Sequence, residues 1–204
     1  MSEFSIVMSN LLAIAVIVTY FRQVAHGDSI PNPSTWLLLT TISLMNAVSY
    51  FAVVQGNIWQ SWYVFVMATG LSSIFLYSLF KGKFAKFGTI EIICVALAVC
   101  VGIIWKTTGN VYVAHLSLQI ILWISITPTL YGLWRGTLRE KAFAWNLTIL
   151  SHVFAAIGIL TSGSFIWIAL VYPLITGIIG NGSVVLILLL QNKGILKKKM
   201  NKKV

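Results

Sequence analysis

A chain of 204 residues that is 58% hydrophobic and only 9% charged, with a mean hydropathy of +0.92, carries too little polar surface to be a water-soluble domain. Its net charge of +10 does not imply nucleic-acid binding, because basic residues of an apolar chain collect on the cytoplasmic side of a membrane. The two cysteines, Cys94 and Cys100, fall in one apolar stretch and face different sides of a helix, so they form neither a mutual disulfide nor a metal-ligand spacing, and no metal or cofactor is expected.

Seven stretches approach or exceed the ~20 apolar residues that a helix needs to cross a bilayer. The first runs from about Phe4 to Phe21, preceded by Glu3 and no basic residue, so it reads as a retained span and not a cleaved signal. Arg22 follows it. The second, Thr35 to Val54, leads into the Gln55–Gln60 turn, and the third, Ser61 to Phe80, is followed by Lys81, Lys83 and Lys86. The fourth runs from Gly88 to Trp105, with Lys106 and the Thr107–Asn110 turn behind it. The fifth, Val111 to Leu133, precedes Arg135, Arg139 and Lys141. The sixth, Phe143 to Leu160, ends at the Thr161–Ser164 turn, and the seventh, Phe165 to Leu190, opens into a tail carrying Lys193, Lys197, Lys198, Lys199, Lys202 and Lys203. All are predicted helices, since an open strand leaves backbone groups unpaired in lipid.

With seven spans, thirteen of the fourteen Lys and Arg residues share one side and only Lys106 lies opposite. The positive side is cytoplasmic, so the N-terminus is expected outside and the C-terminus inside. The tail would rest on anionic lipid head groups at about 1 kcal/mol per basic residue. Trp36, Trp59, Trp62, Trp105, Trp134, Trp145 and Trp167 lie near span ends, as an aromatic belt requires. The sequons at Asn146 and Asn181 fall inside spans and are not expected to be glycosylated.

A shift of 109 residues superposes Gly27 on Gly136, Trp36 on Trp145 and Tyr63 on Tyr172. It also lays the Phe21–Ile30 turn over the turn after span five. Spans one to three then correspond to spans five to seven, with span four left over. Residues 1–82 form the first triplet, 83–107 the linking helix, 108–192 the second triplet and 193–204 the basic tail. Both triplets start on the same side, so the repeats are parallel and related by an axis along the membrane normal, with a site between them near the midplane. The linking helix is what restores the direction of the chain.

This 3+1+3 layout resembles the PQ-loop superfamily, which includes the SWEET sugar transporters. The second repeat carries Ile126-Thr127-Pro128-Thr129 near the end of span five, Trp134-Arg135-Gly136, Glu140 and then Trp145. The first repeat has Thr19 in the place of Pro128, followed by Gln23 and Pro31-Asn32-Pro33-Ser34-Thr35-Trp36, so neither repeat holds the intact Pro-Gln pair. The resemblance implies alternating access, one bundle rocking against the other, with Pro128 as a bending point because proline removes a helix hydrogen bond. In span seven Pro173, Gly177, Gly180 and Gly182 serve either bending or close packing.

Polar residues inside spans are costly and often functional. The repeat sets Asn46 over Ala155, with His152 one turn away, and Ser72 over Asn181. A pocket on the axis would be lined by Asn46, Ser72, His152 and Asn181, with Tyr50, Tyr63 and Tyr172 as aromatic walls, and would suit a neutral, hydrogen-bonding solute. The competing reading is that each of these residues bonds across helices as packing glue. Glu91 lies near the end of span four, and His115 and His152 are the deep titratable groups. With no deep carboxylate, a facilitator is expected over a pump. No nucleophile and base stand at a readable spacing, so an enzyme is not expected. The expectation is a multi-pass small-solute transporter, in a bacterial inner membrane given so short and loop-poor a chain, with a non-transporting receptor or scaffold as the alternative. Its partners are the solute and the lipid, without nucleic acid. Homo-oligomer formation is left open.

Overall fold

The structure, a computed structural model, describes residues 2–31, 33–81, 89–163 and 166–196. Lys83, Lys86, Gly88, Ser164, Phe165 and Lys197 to Lys203 lie outside them, as do the side chains of Glu91, Cys94 and Trp105. The described residues are helical without strands. The helices are α1 (Ser2–Ala25), α2 (Pro33–Val53), α3 (Ile58–Phe80), α4 (Thr89–Thr108), α5 (Val111–Trp134), α6 (Ala142–Leu160) and a last run ending in α7 (Asn181–Asn192). Six runs are long and apolar enough to cross a membrane: α1, α2, α3, α5, α6 and the last, Trp167–Asn192. Over α4 only the shorter stretch Val99–Thr108 meets the apolar test.

Local chemistry sets the ends. Asn57 caps α3 by accepting from the Gln60 backbone N–H, and Asn110 caps α5 by accepting from those of Tyr112 and Val113, as Asn does at orphaned helix starts. α1 shows why these helices belong in lipid. Phe4, Val7, Leu11, Ile14, Val18 and Phe21, three and four residues apart, are exposed along one stripe. Ser5, Ser9, Ala13, Val16, Tyr20 and Gln23 are buried on the opposite face. Apolar groups outside and small or polar groups inside invert the soluble pattern and suit a hydrocarbon solvent.

α3 packs on both α1 and α2, and the last run packs on both α5 and α6. α1 also lies against α6 and α5 against α2, while α4 rests on α5 and α2. Close approach is built in where side chains are absent: a Cβ on Gly70 would fall 2.2 Å from Ile17 of α1.

Arg22, Lys81, Arg135, Arg139, Lys141 and Lys193 gather at one end, where α1, α3, α5 and α7 finish. Gly27 and Gly136 both take left-handed φ angles, +73° and +68°, which favour glycine as a helix stop. Backbone bonds follow in step. Asp28 and Ser29 N–H reach the carbonyl of Gln23, as Thr137 and Leu138 N–H reach that of Gly132. These two turns then meet. Ile30 N–H donates to the Arg139 carbonyl at 2.9 Å, and Lys141 Nζ donates to Asp28 Oδ2 at 2.6 Å. α7 is tied to α5 by Gln191, whose amide donates to the Leu133 carbonyl.

The last run departs from the continuous helix expected for span seven. Trp167–Leu170 is a 3₁₀ turn and Tyr172–Gly180 is π-helical before α7 begins. Pro173 stands at the start of the π segment, where its missing N–H prevents the ordinary α register. The return from five-residue to four-residue bonding skips a carbonyl. Asn181 answers it, with Nδ2 donating to the carbonyls of Thr176 at 3.1 Å and Gly177 at 2.7 Å. Pro128, by contrast, lies inside an unbroken α5.

Candidate functional site

A cavity of about 80 Å³ lies among α1, α2, α3, α5, α6 and the last run. That is room for several waters at ~10–15 Å³ each. α1 and α2 supply Tyr20, Trp36 and Ser43, α6 supplies Trp145, Thr148 and His152, and the last run supplies Tyr172, Thr176 and Asn181. Leu39, Leu71, Leu122 and Ile126 are among the apolar groups of the wall. Toward the basic end, Tyr20 stacks on Trp36 at 4.8 Å and meets Trp145 edge-on at 6.2 Å. Toward the other end, His152, Tyr63 and Tyr172 form a mutual cluster with centroids 5.1 to 6.2 Å apart. Past it is a smaller cavity of about 20 Å³, walled by Ser9, Tyr50, Tyr63, Tyr172 and Pro173.

Two positions on the wall follow from local sequence. His152 fits because Gly177 faces it: a Cβ there would stand 2.1 Å from the imidazole Cγ. Its Nδ1 is buried without a hydrogen-bond partner among the described residues. Asn181, on the wall, uses its amide N–H groups on the π segment, so the acceptor oxygen of its side chain is not needed there.

Of the residues expected in the pocket, His152, Tyr172 and Asn181 are on its wall. Tyr50 and Tyr63 are buried beside it and wall the smaller cavity instead. Asn46 is at the right level but turned toward α5. Gln119 Nε2 donates to its Oδ1, Thr176 Oγ1 donates to Gln119 Oε1 at 3.1 Å, and Ser49 Oγ lies 3.2 Å from His115 Nδ1. This is a hydrogen-bonded seam between α2, α5 and the last run. The expected overlay of Asn46 on Ala155 says nothing of the rotation of α2, which turns Asn46 to Gln119. Ser72 is half-buried and returns its hydroxyl to the Ala68 carbonyl of its own helix at 2.8 Å. Pro173 borders the smaller cavity and Pro128 borders neither.

Trp36 and Trp145 were expected in the interfacial belt, whereas both are buried under the cavity. Trp59, Trp62, Trp134 and Trp167 are exposed near helix ends. Sequence reading also missed Tyr20, Thr148 and Thr176 as cavity groups. Glu140 entered that reading only among the residues of the resemblance, and it is buried. Tyr20 Oη donates to its Oε1 at 2.7 Å, and Trp145 Nε1 donates to Oε2 at 3.4 Å. Burial pushes this carboxyl up to about 7, against hydrogen bonds from Tyr20, Ser29 and Trp145 that favour the ionised form. The hydrogen bond from Lys141 holds the nearby Asp28 carboxyl below its usual range.

No grouping of three or more His, Cys, Asp or Glu residues suited to a metal ion occurs among the described residues. Comparison with protein-family models, curated proteins and solved structures finds no match to this chain.

Proposed function

We propose that this protein is a small-solute transporter of the PQ-loop kind, built from two parallel triplets around a central neutral site. One observation carries the reading: the cavity is walled by both triplets, whose packing is reciprocal, α1 on α6 and α5 on α2. The three sequence coincidences support it. Gly27 and Gly136 share a backbone role, Trp36 and Trp145 both meet Tyr20, and Tyr63 touches Tyr172. On this reading α4 is the seventh span, the N-terminus is outside, and the basic end is cytoplasmic against anionic lipid. The membrane is a bacterial inner membrane. The wall offers hydroxyl, amide and imidazole groups among aromatic rings, which suits an uncharged polar solute moved by alternating access. Pro128 and Pro173 are its bending points, and no catalytic role is assigned.

The test is uptake into proteoliposomes, screened over sugars, vitamins, nucleosides and amino acids. For a solute that is taken up, Asn181→Ala and Thr148→Val are expected to raise KM about tenfold, the size of one lost hydrogen bond to the solute. Unchanged KM in both variants contradicts the site. A second reading, a polytopic receptor or scaffold, draws on the Asn46–Gln119–Thr176 seam, which needs no pathway. It predicts binding of a solute without flux.

A further inference from the structure

Glu140 is a buried carboxyl beside the cavity floor that the proposed site does not use. We propose that it is a proton-binding site closing the basic end of the molecule: that end is shut while the Glu140 carboxyl, clasped between Tyr20 and Trp145, carries a proton, and opens as the proton leaves. The inference rests on the alternating-access reading and adds its regulation.

The geometry is that of a latch. Glu140 belongs to the turn after α5, but its strongest contact is Tyr20 of α1, 2.7 Å away and 120 residues earlier in the chain. Ser29, from the turn after α1, hydrogen-bonds it as well, and Trp145 of α6 closes the other side. Each of these contacts except Trp145 crosses from one triplet to the other. The Ile30–Arg139 backbone bond and the Lys141–Asp28 pair cross at the same level. Rocking the triplets apart at this end must therefore pull Glu140 from Tyr20 and Ser29 and let water reach it.

Among the described residues no cation is paired with the carboxyl. Tyr20 faces it from α1. On the turn after α1, Asp28 is occupied by Lys141, and His26 is exposed. On its own turn Arg135 and Arg139 are exposed, as is Lys81 at the end of α3. A buried carboxylate with no cationic partner is held toward its neutral form. When the end opens, the hydrated carboxyl returns toward the ordinary value of ~4.3. The closed state thus binds the proton more tightly, and by linkage the proton favours closure. The sign follows: the proton's contribution to closure is complete below ~4.3 and is lost as pH rises through about 7. The proton taken up on closing comes from water at the basic end and returns there on opening.

The experiment uses the full chain in lipid vesicles, with Cys94→Ser and Cys100→Ser as background, and two readouts. Infrared difference spectra should show a protonated-carboxyl C=O band that titrates near pH 7 and is missing in Glu140→Gln. Tyr20→Phe, which removes a bond favouring the ionised form, should move that midpoint upward. Thiol labelling of Thr148→Cys on the cavity wall, relative to exposed Thr161→Cys, should slow by about fivefold from pH 8 to pH 6 and stay slow at both in Glu140→Gln. A band titrating below pH 5, a midpoint that Tyr20→Phe does not raise, or labelling indifferent to pH overturns the proposal. A titrating band in a chain that moves no solute would remove the transport reading and leave the proton site in place.

Discussion

At the scale of single residues, glycine and histidine set the shape of the wall. Gly177 has no room for a side chain, because its missing Cβ is where the His152 ring sits. Gly177→Ala is expected to cost about 1–3 kcal/mol, as overpacking a tight contact does. Gly182→Ala, with nothing within 4 Å, should leave stability unchanged or slightly higher through helix propensity. Denaturation of the two variants in detergent decides this, and equal stability of both contradicts the placement of His152. Asn46 and Asn181, which looked alike in sequence, part company here. Asn46→Ala removes the partner of Gln119 and should lower stability by about 0.6–1.7 kcal/mol with KM unchanged. Asn181→Ala should raise KM. The same asparagine chemistry does two jobs because only one of the residues reaches the cavity.

At the scale of elements, the helices were legible and their rotations were not. Seven apolar runs and their turns could be read from length and from Asn, Gly and basic punctuation; the structure moves their bounds by a few residues only, and six of the runs are long and apolar enough to cross a membrane. Gly27 and Gly136 were legible as paired stops because a left-handed helix end strongly favours glycine. The π segment was not, since apolar composition fits α and π equally. Its only sequence traces are Pro173 at the start and Asn181 at the finish. Glu140 was hidden for a different reason. A carboxylate among Arg and Lys reads as solvated, and only the meeting of two turns 109 residues apart buries it. Pro128 tests the bending role of α5. Pro128→Ala restores an N–H to the helix and should slow uptake several-fold while raising stability. Uptake at the original rate removes Pro128 as a hinge.

At the scale of the whole molecule, the proposed pair of like-directed triplets requires an odd number of crossings, with α4 as the crossing that restores direction between them. Tags on the N- and C-termini should therefore be reached from opposite faces of an intact membrane, and reach from the same face contradicts the arrangement. The central claim is that the triplets move against each other around the cavity, and the basic end offers the most direct measurement. Ile30 and Arg139, 109 residues apart on the turns after α1 and α5, are joined by a backbone bond. A chain with Ile30→Cys and Arg139→Cys, lacking Cys94 and Cys100, can be locked there by a disulfide. Uptake of a solute carried by the unmodified chain should stop on oxidation and return on reduction. Uptake that continues with the two turns locked would contradict the account.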